Sequence, residues 1–186
     1  MKKLSIIFCL ISLSIASTCS AITWHKAAAT GNLEELERLI QKEPKNINTC
    51  DVVGNTPLHA AIFSNSEPTL RILLKNGALA VLDKSNMNDC TPLILAIQHG
   101  MNTAISILLE HGALVNKPDN YDTTPLHWAA TCSNLAAVRI LLENGALAVI
   151  NNPNKNGITP LDRARMYNIY GREKEVQAVI ELLKYK

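Results

Sequence analysis

The chain has 186 residues, 47% of them apolar, which is enough for one domain with a full hydrophobic core and excludes a disordered chain. Aromatics are only 4%, and alanine and leucine supply most of the apolar content, a bias toward helices over strands. The formal charge of +2 comes from Lys2 and Lys3, and the rest of the chain carries as many acidic as basic residues. This balance excludes nucleic acid as the main partner and gives no reason to sit on an anionic membrane.

The chain opens with Met1-Lys2-Lys3, continues with an uncharged apolar stretch from Leu4 to Ala16, and reaches the small residues Ser17-Thr18-Cys19-Ser20-Ala21. A short positive start, an apolar run and a small-residue cleavage site form the pattern of a secretory signal peptide. Residues 1–21 are therefore expected to be an export signal cut after Ala21, leaving a periplasmic or secreted bacterial protein. The apolar run is short for a membrane span, which needs roughly 20 residues. An uncleaved anchor is one alternative. A lipoprotein anchored through Cys19 is another, although Ala16 and Thr18 depart from that pattern. Nothing after residue 22 resembles a membrane span.

From residue 22 onward the chain repeats. Thr-Pro-Leu occurs at Thr56, Thr91, Thr124 and Thr159, at spacings of 35, 33 and 35. A Leu-Leu-x-x-Gly-Ala phrase begins at Leu73, Leu108 and Leu141, each 17 residues after its Thr. Thr is an N-cap, and Pro suits the first helical position, so each Thr-Pro predicts a helix start. Gly after an apolar run such as Leu70-Arg71-Ile72-Leu73-Leu74 predicts a helix end. Each period thus holds two short antiparallel helices and a polar turn. Turn-rich stretches such as Asp51-Val52-Val53-Gly54-Asn55 lead to the next Thr-Pro.

The period and the phrase Thr-Pro-Leu-His-x-Ala resemble the ankyrin repeat. Thr56 to Ala61 and Thr124 to Ala129 match it fully. Thr91 to Ala96 lacks the His, and Thr159 to Ala164 has Asp162 in its place. A degenerate first unit begins at Trp24-His25-Lys26-Ala27-Ala28. The resemblance implies an all-α ankyrin-repeat solenoid over residues 22–186. Its five helix-turn-helix units, near 22–54, 55–89, 90–122, 123–157 and 158–186, are joined by hairpin-like loops. Gly77 to Thr91 and Gly145 to Thr159 span 14 residues, against 12 from Gly112 to Thr124. The two longer loops are therefore expected to depart from the family's hairpin tips. The last unit reads as a polar cap, packed by Tyr167 and Tyr170.

No catalytic, metal or cofactor signature accompanies the repeat. The resemblance gives His25, His59 and His127 a structural slot, and no two histidines have the i, i+4 spacing of a zinc motif. Cys50, Cys90 and Cys132 contain no Cys-x-x-Cys; they read as thiols, with a Cys50–Cys90 disulfide as the alternative. There is no Gly-x-Ser-x-Gly elbow and no phosphate-cradling loop. The chain is accordingly read as a monomeric, non-enzymatic module without cofactor or metal that binds an unidentified protein.

In ankyrin proteins contacts come from loop tips and the inner face of each first helix. Carried over residue by residue, that habit selects Val52, Val53 and Phe63 in the second unit, and Met87 and His99 in the third. It selects Asn120, Tyr121 and Trp128 in the fourth unit, and Lys155 in the fifth. Val52, Val53, Met87 and Tyr121 are poor turn residues, and aromatic and Met side chains dominate interfaces. For Trp128, packing between helices is an equal alternative. The module could inhibit, shield or scaffold its partner. A secreted virulence factor acting on a host protein, and an enzyme with a site in the concave groove, stand as the competing readings.

Overall fold

A computed structural model describes residues 23–166 and 173–184. The expected signal peptide, with Cys19, and the tyrosines 167 and 170 lie outside the described residues. The chain divides into two compact units, Met1–Val81 and Leu82–Lys186. Among the described residues every regular element is helical.

In the first unit, helix α1 covers residues 23–30, followed by α2 (Leu33–Lys42), α3 (Pro57–Ser64) and α4 (Glu67–Lys75). In the second unit, α5 (Pro92–Gln98) pairs with α6 (Asn102–Glu110), α7 (Pro125–Thr131) with α8 (Leu135–Glu143), and α9 (Pro160–Met166) with α10 (Glu173–Lys184). Every Thr-Pro starts a helix, as its chemistry predicts. Thr56, Thr91 and Thr159 each accept a hydrogen bond at Oγ1 from the amide three residues on, at 3.4, 3.2 and 3.2 Å. Apolar faces of the paired helices close each core, with Leu58, Leu93 and Leu126 of the repeated phrase buried. Removing such side chains from water contributes roughly 1.5–3 kcal/mol each.

The histidine slot does local work. In α3, Thr56 N donates to His59 Nδ1 at 3.2 Å and the Thr56 hydroxyl lies 2.9 Å from the same nitrogen. In α7, Thr124 makes the same pair of contacts to His127 Nδ1 at 3.2 and 2.8 Å. Where the phrase carries Asp162, the carboxylate takes over the cap. Its Oδ2 accepts from Thr159 N at 3.1 Å and from Thr159 Oγ1 at 2.6 Å. Either side chain offers an acceptor at the position where the first turn has donors to satisfy.

The two helices of a unit are joined by a residue in the left-handed region: Gly31 (φ 66), Asn65 (φ 46), Gly100 (φ 67) and Ser133 (φ 52). Ser has no local compensation comparable to Asn there, and a Cβ in this region costs about 1 kcal/mol or more. Ser133→Gly is expected to raise stability by about 1 kcal/mol, read as an upward shift of the urea midpoint at unchanged slope. An unchanged or lowered midpoint would show that the Ser133 contacts outweigh the strain.

The expectation for the longer loops is overturned. All four tips are the same turn, built on Asp51, Asn86, Asp119 and Asn154. Each of these accepts at Oδ1 from the amides two and four residues on, at 2.8–3.1 Å. Each also pairs its own amide with the carbonyl four residues on, at 2.9–3.1 Å. The two extra residues enter upstream, as the 3₁₀ turns Ala78–Val81 and Ala146–Val149, both Ala-Leu-Ala-Val. Because the Asx side chain supplies the turn's hydrogen bonds, the tip does not register the insertion.

The loops also tie neighbouring repeats within each unit. Asn48 Nδ2 donates to Gly77 O at 3.0 Å in the first unit, and Asn116 Nδ2 to Gly145 O at 3.3 Å in the second. Both bonds join residues 29 apart, so one repeat's loop satisfies an open carbonyl at the next repeat's helix end. Cys50, Cys90 and Cys132 are thiols.

Candidate functional site

The tips explain why apolar residues can stand in water here. In the first unit the turn is closed by the Asp51 carboxylate and by the backbone bond from Asp51 N to Asn55 O, so the Val52 and Val53 side chains take no part in its hydrogen bonding. They are 88% and 43% exposed. Phe63, in the last turn of α3, is 51% exposed. Large apolar side chains that clear the surface in this way mark contact surface when they cluster.

In the second unit the corresponding tip residues are Met87, Asn120, Tyr121 and Lys155, all exposed. Asp119 organises the middle tip. Its Oδ1 accepts from Tyr121 N and Thr123 N, both at 2.9 Å, and its Oδ2 accepts from Trp128 Nε1 at 3.3 Å. The Trp128 indole is thereby fixed against the tip that carries Tyr121. Trp128 is half-buried, so it packs and faces outward at once.

Tyr121, Trp128, Arg163, Asn156, Asp89 and Asp119 wall a half-open concavity of about 380 Å³. Its neighbouring tips are held together by two further bonds. Lys155 N donates to Tyr121 O at 2.9 Å, and Lys155 Nζ to Asn120 O at 2.6 Å. Lys155 is thus exposed but already engaged, and it positions the tip bearing Tyr121. His99 is elsewhere: with Gln98, Cys132, Asn134 and Glu175 it lines a second concavity of about 420 Å³.

Arg163 and Asp119 line the first concavity, and neither is among the residues that the repeat register selects. Arg163 occupies the variable fifth place of the Thr-Pro-Leu-His-x-Ala phrase. That place holds Ala60, Leu95, Trp128 and Arg163 in the four copies. Trp128 and Arg163 line the same hollow, so a comparison of that one column would have found it. Asp119 left no such signal, because turn chemistry alone accounts for an Asp there.

The histidines of the repeated slot face inward to backbone. His25 Nε2 lies 2.7 Å from Asn55 O in the first unit, and His127 Nε2 3.0 Å from Ile158 O in the second. Burial pushes the Cys90 thiol above its ordinary value, with the hydrogen bond to Gln98 acting the other way, so it remains a protonated thiol at neutral pH. Among the described residues no group of three or more His, Cys, Asp or Glu is placed to hold a metal ion, and no helix is long and apolar enough to cross a membrane. The arrangement can seat a polypeptide: two aromatic rings, a guanidinium, and a rim of Asn and Asp.

Residues 3–84 and 79–154 match the family model described as ankyrin repeats in three copies. The chain is similar to the human transient receptor potential cation channel subfamily A member 1, with 36% identity over 88 residues, 47% of this chain and 8% of that protein. It is also similar to the ankyrin repeat protein nuc-2 of Neurospora crassa, with 35% identity over 91 residues, 49% of this chain and 8% of that protein. With neurogenic locus notch homolog protein 1 of Xenopus laevis it shares 34% identity over 97 residues, 52% of this chain and 4% of that protein. The chain matches less than a tenth of the length of each of these relatives.

Proposed function

The chain belongs to the ankyrin-repeat family, a protein-interaction module, and from that premise we propose that it binds a protein partner through the Tyr121–Trp128 hollow and the adjoining tips. The observation that carries this reading is Tyr121. It is 63% exposed at the rim of a concavity whose wall is a Trp oriented by its own hydrogen bond. Exposed aromatics beside a preformed hollow are the residues that dominate binding energy at interfaces. Val52, Val53 and Phe63 form a second contact surface on the first unit. The protein acts outside the cytoplasm, after residues 1–21 have directed export, and works by occupying its partner rather than by catalysis.

The test uses the native chain and a Tyr121→Asp variant as affinity baits, against periplasmic and host-cell extracts. The variant's circular dichroism is compared with that of the native chain first. A protein captured by the native bait and reduced at least ten-fold with the variant supports the hollow as the binding face. Equal capture by both refutes it. Expression of the full chain in a bacterium, with mass spectrometry of each fraction, tests export. The expected product begins at Ile22 in the periplasm or medium, whereas an intact chain retained in the cytosol overturns this part.

A further inference from the structure

Resting on that reading of the hollow, we infer that it recognises a basic side chain of the partner, an Arg or Lys whose charged head meets the Asp89 and Asp119 carboxylates while its stem lies against Tyr121 and Trp128. The starting point is the balance of charge. Asp89 and Asp119 line the concavity against Arg163, so negative charge is in excess there. Asp89 is half-buried, and its carboxylate takes no hydrogen bond and no salt bridge among the described residues. A carboxylate so placed gains from a cation brought to it. Asp119 is fixed by Tyr121 N, Thr123 N and Trp128 Nε1, and a carboxylate has about four lone-pair sites, so it can still accept from an incoming donor. The turn itself does not require that charge. Asn86 and Asn154 make the same turn at the tips on either side with a neutral amide oxygen.

The aromatic rings point to the same occupant. The face of a Tyr or Trp attracts a cation through the ring quadrupole and lends apolar area to a Lys or Arg stem, whereas it repels an anion. The cations already present leave the hollow open to another. Arg163 Nε is buried, and its charge bears on the buried His127 ring, where it adds to the burial that chiefly lowers that pKa. Lys155 Nζ is engaged at Asn120 O and is not part of the lining. The two carboxylates act together on a third group. Burial is the main cause of the raised Cys90 thiol, the bond to Gln98 opposes it, and the charges of Asp119 and Asp89 both add to the rise. Both negative charges therefore bear on one place beside the rings.

The test uses the full chain labelled with ¹⁵N and four capped pentapeptides, Ala-Ala-X-Ala-Ala with X as Arg, Lys, Gln or Glu. The Trp128 indole N–H is followed on titration, with the buried Trp24 indole as internal reference. The expected result is a saturable Trp128 shift with the Arg and Lys peptides, at least ten-fold weaker with Gln and Glu, and diminished by added salt. Asp89→Asn keeps the side-chain shape and suits the left-handed backbone there (φ 57), and it should weaken Arg and Lys binding at least five-fold. Tyr121→Leu, which keeps apolar area without the ring face, should weaken both as well. Equal binding of Arg and Gln, preference for Glu, undiminished binding in Asp89→Asn, or no saturable shift with either basic peptide each overturns the inference. Should the peptides fail while Tyr121→Asp still abolishes capture of the partner, the hollow remains the binding face and only its preference for a basic side chain falls.

Discussion

His127→Ala is expected to destabilise the second unit by about 2–4 kcal/mol. The ring is buried and is bonded at both nitrogens: Nδ1 to Thr124 N and Oγ1, Nε2 to Ile158 O. An amide can only donate and a carbonyl can only accept, so the ring must be neutral with its proton on Nε2. Truncation leaves Thr124 N and Ile158 O without these partners and opens a cavity in the first turn of α7. It also cuts a bond between two consecutive repeats, whose sequence separation of 31 makes it a tie rather than a local cap.

The same geometry predicts a pH dependence. Burial, the dominant cause, holds the His127 pKa below its ordinary 6.5, with the bond to Ile158 opposing it. A histidine depressed in the folded state gives its full stabilisation above the unfolded value, and that stabilisation declines as pH falls below about 6.5. The Asp162 cap has a different window. Its hydrogen bonds from Thr159, chiefly the side-chain one, hold its carboxyl below the usual 3.8. Its contribution is present above that value and is lost as pH falls through the lower, folded one. Urea unfolding of native and His127→Ala chains at pH 7.5, 6 and 5 should show the gap between them narrowing with acid. A gap independent of pH would mean that the ring is not held neutral.

The repeat was legible because its determinants are local. Thr, Pro and Gly act on the backbone within one turn of where they stand, so Thr56, Thr91, Thr124 and Thr159 located helix starts without any knowledge of packing. The loop insertions were misread for a related reason. Counting from Gly77 or Gly145 to the next Thr gives a length but not the place where the extra residues go. The four Asx residues that rebuild each tip look like ordinary loop composition in sequence. The site was legible in part. Tyr121 and Trp128 stood out as aromatics in unusual places, whereas Arg163 belongs to another repeat and reaches the same hollow only through stacking. His99 illustrates the converse: a variable position at a helix end was assigned to the binding face, and the fold places it in a separate concavity.

Trp24→Ala is expected to melt the first repeat, at a cost of about 3–5 kcal/mol. Helix α1 has no Thr-Pro start; it is held by the buried side chains of Trp24, Ala27 and Ala28, of which Trp24 is much the largest, together with the bond from His25 Nε2 to Asn55 O. Trp24 is not a perfectly satisfied residue, because its Nε1 is buried without a hydrogen-bond partner. An unmet buried N–H costs about 1–3 kcal/mol, so Trp24→Phe removes a penalty along with packing and should cost far less than truncation. Hydrogen exchange distinguishes the two outcomes: protection over residues 23–42 is expected to collapse in Trp24→Ala and to persist in Trp24→Phe. Equal collapse in both would mean that ring shape, rather than buried apolar area, holds α1. The consequence reaches the surface. Asn55 closes the tip built on Asp51, so loss of α1 withdraws His25 from that carbonyl and loosens the turn that presents Val52 and Val53. A chain altered only at the buried Trp24 should therefore bind more weakly through its first unit.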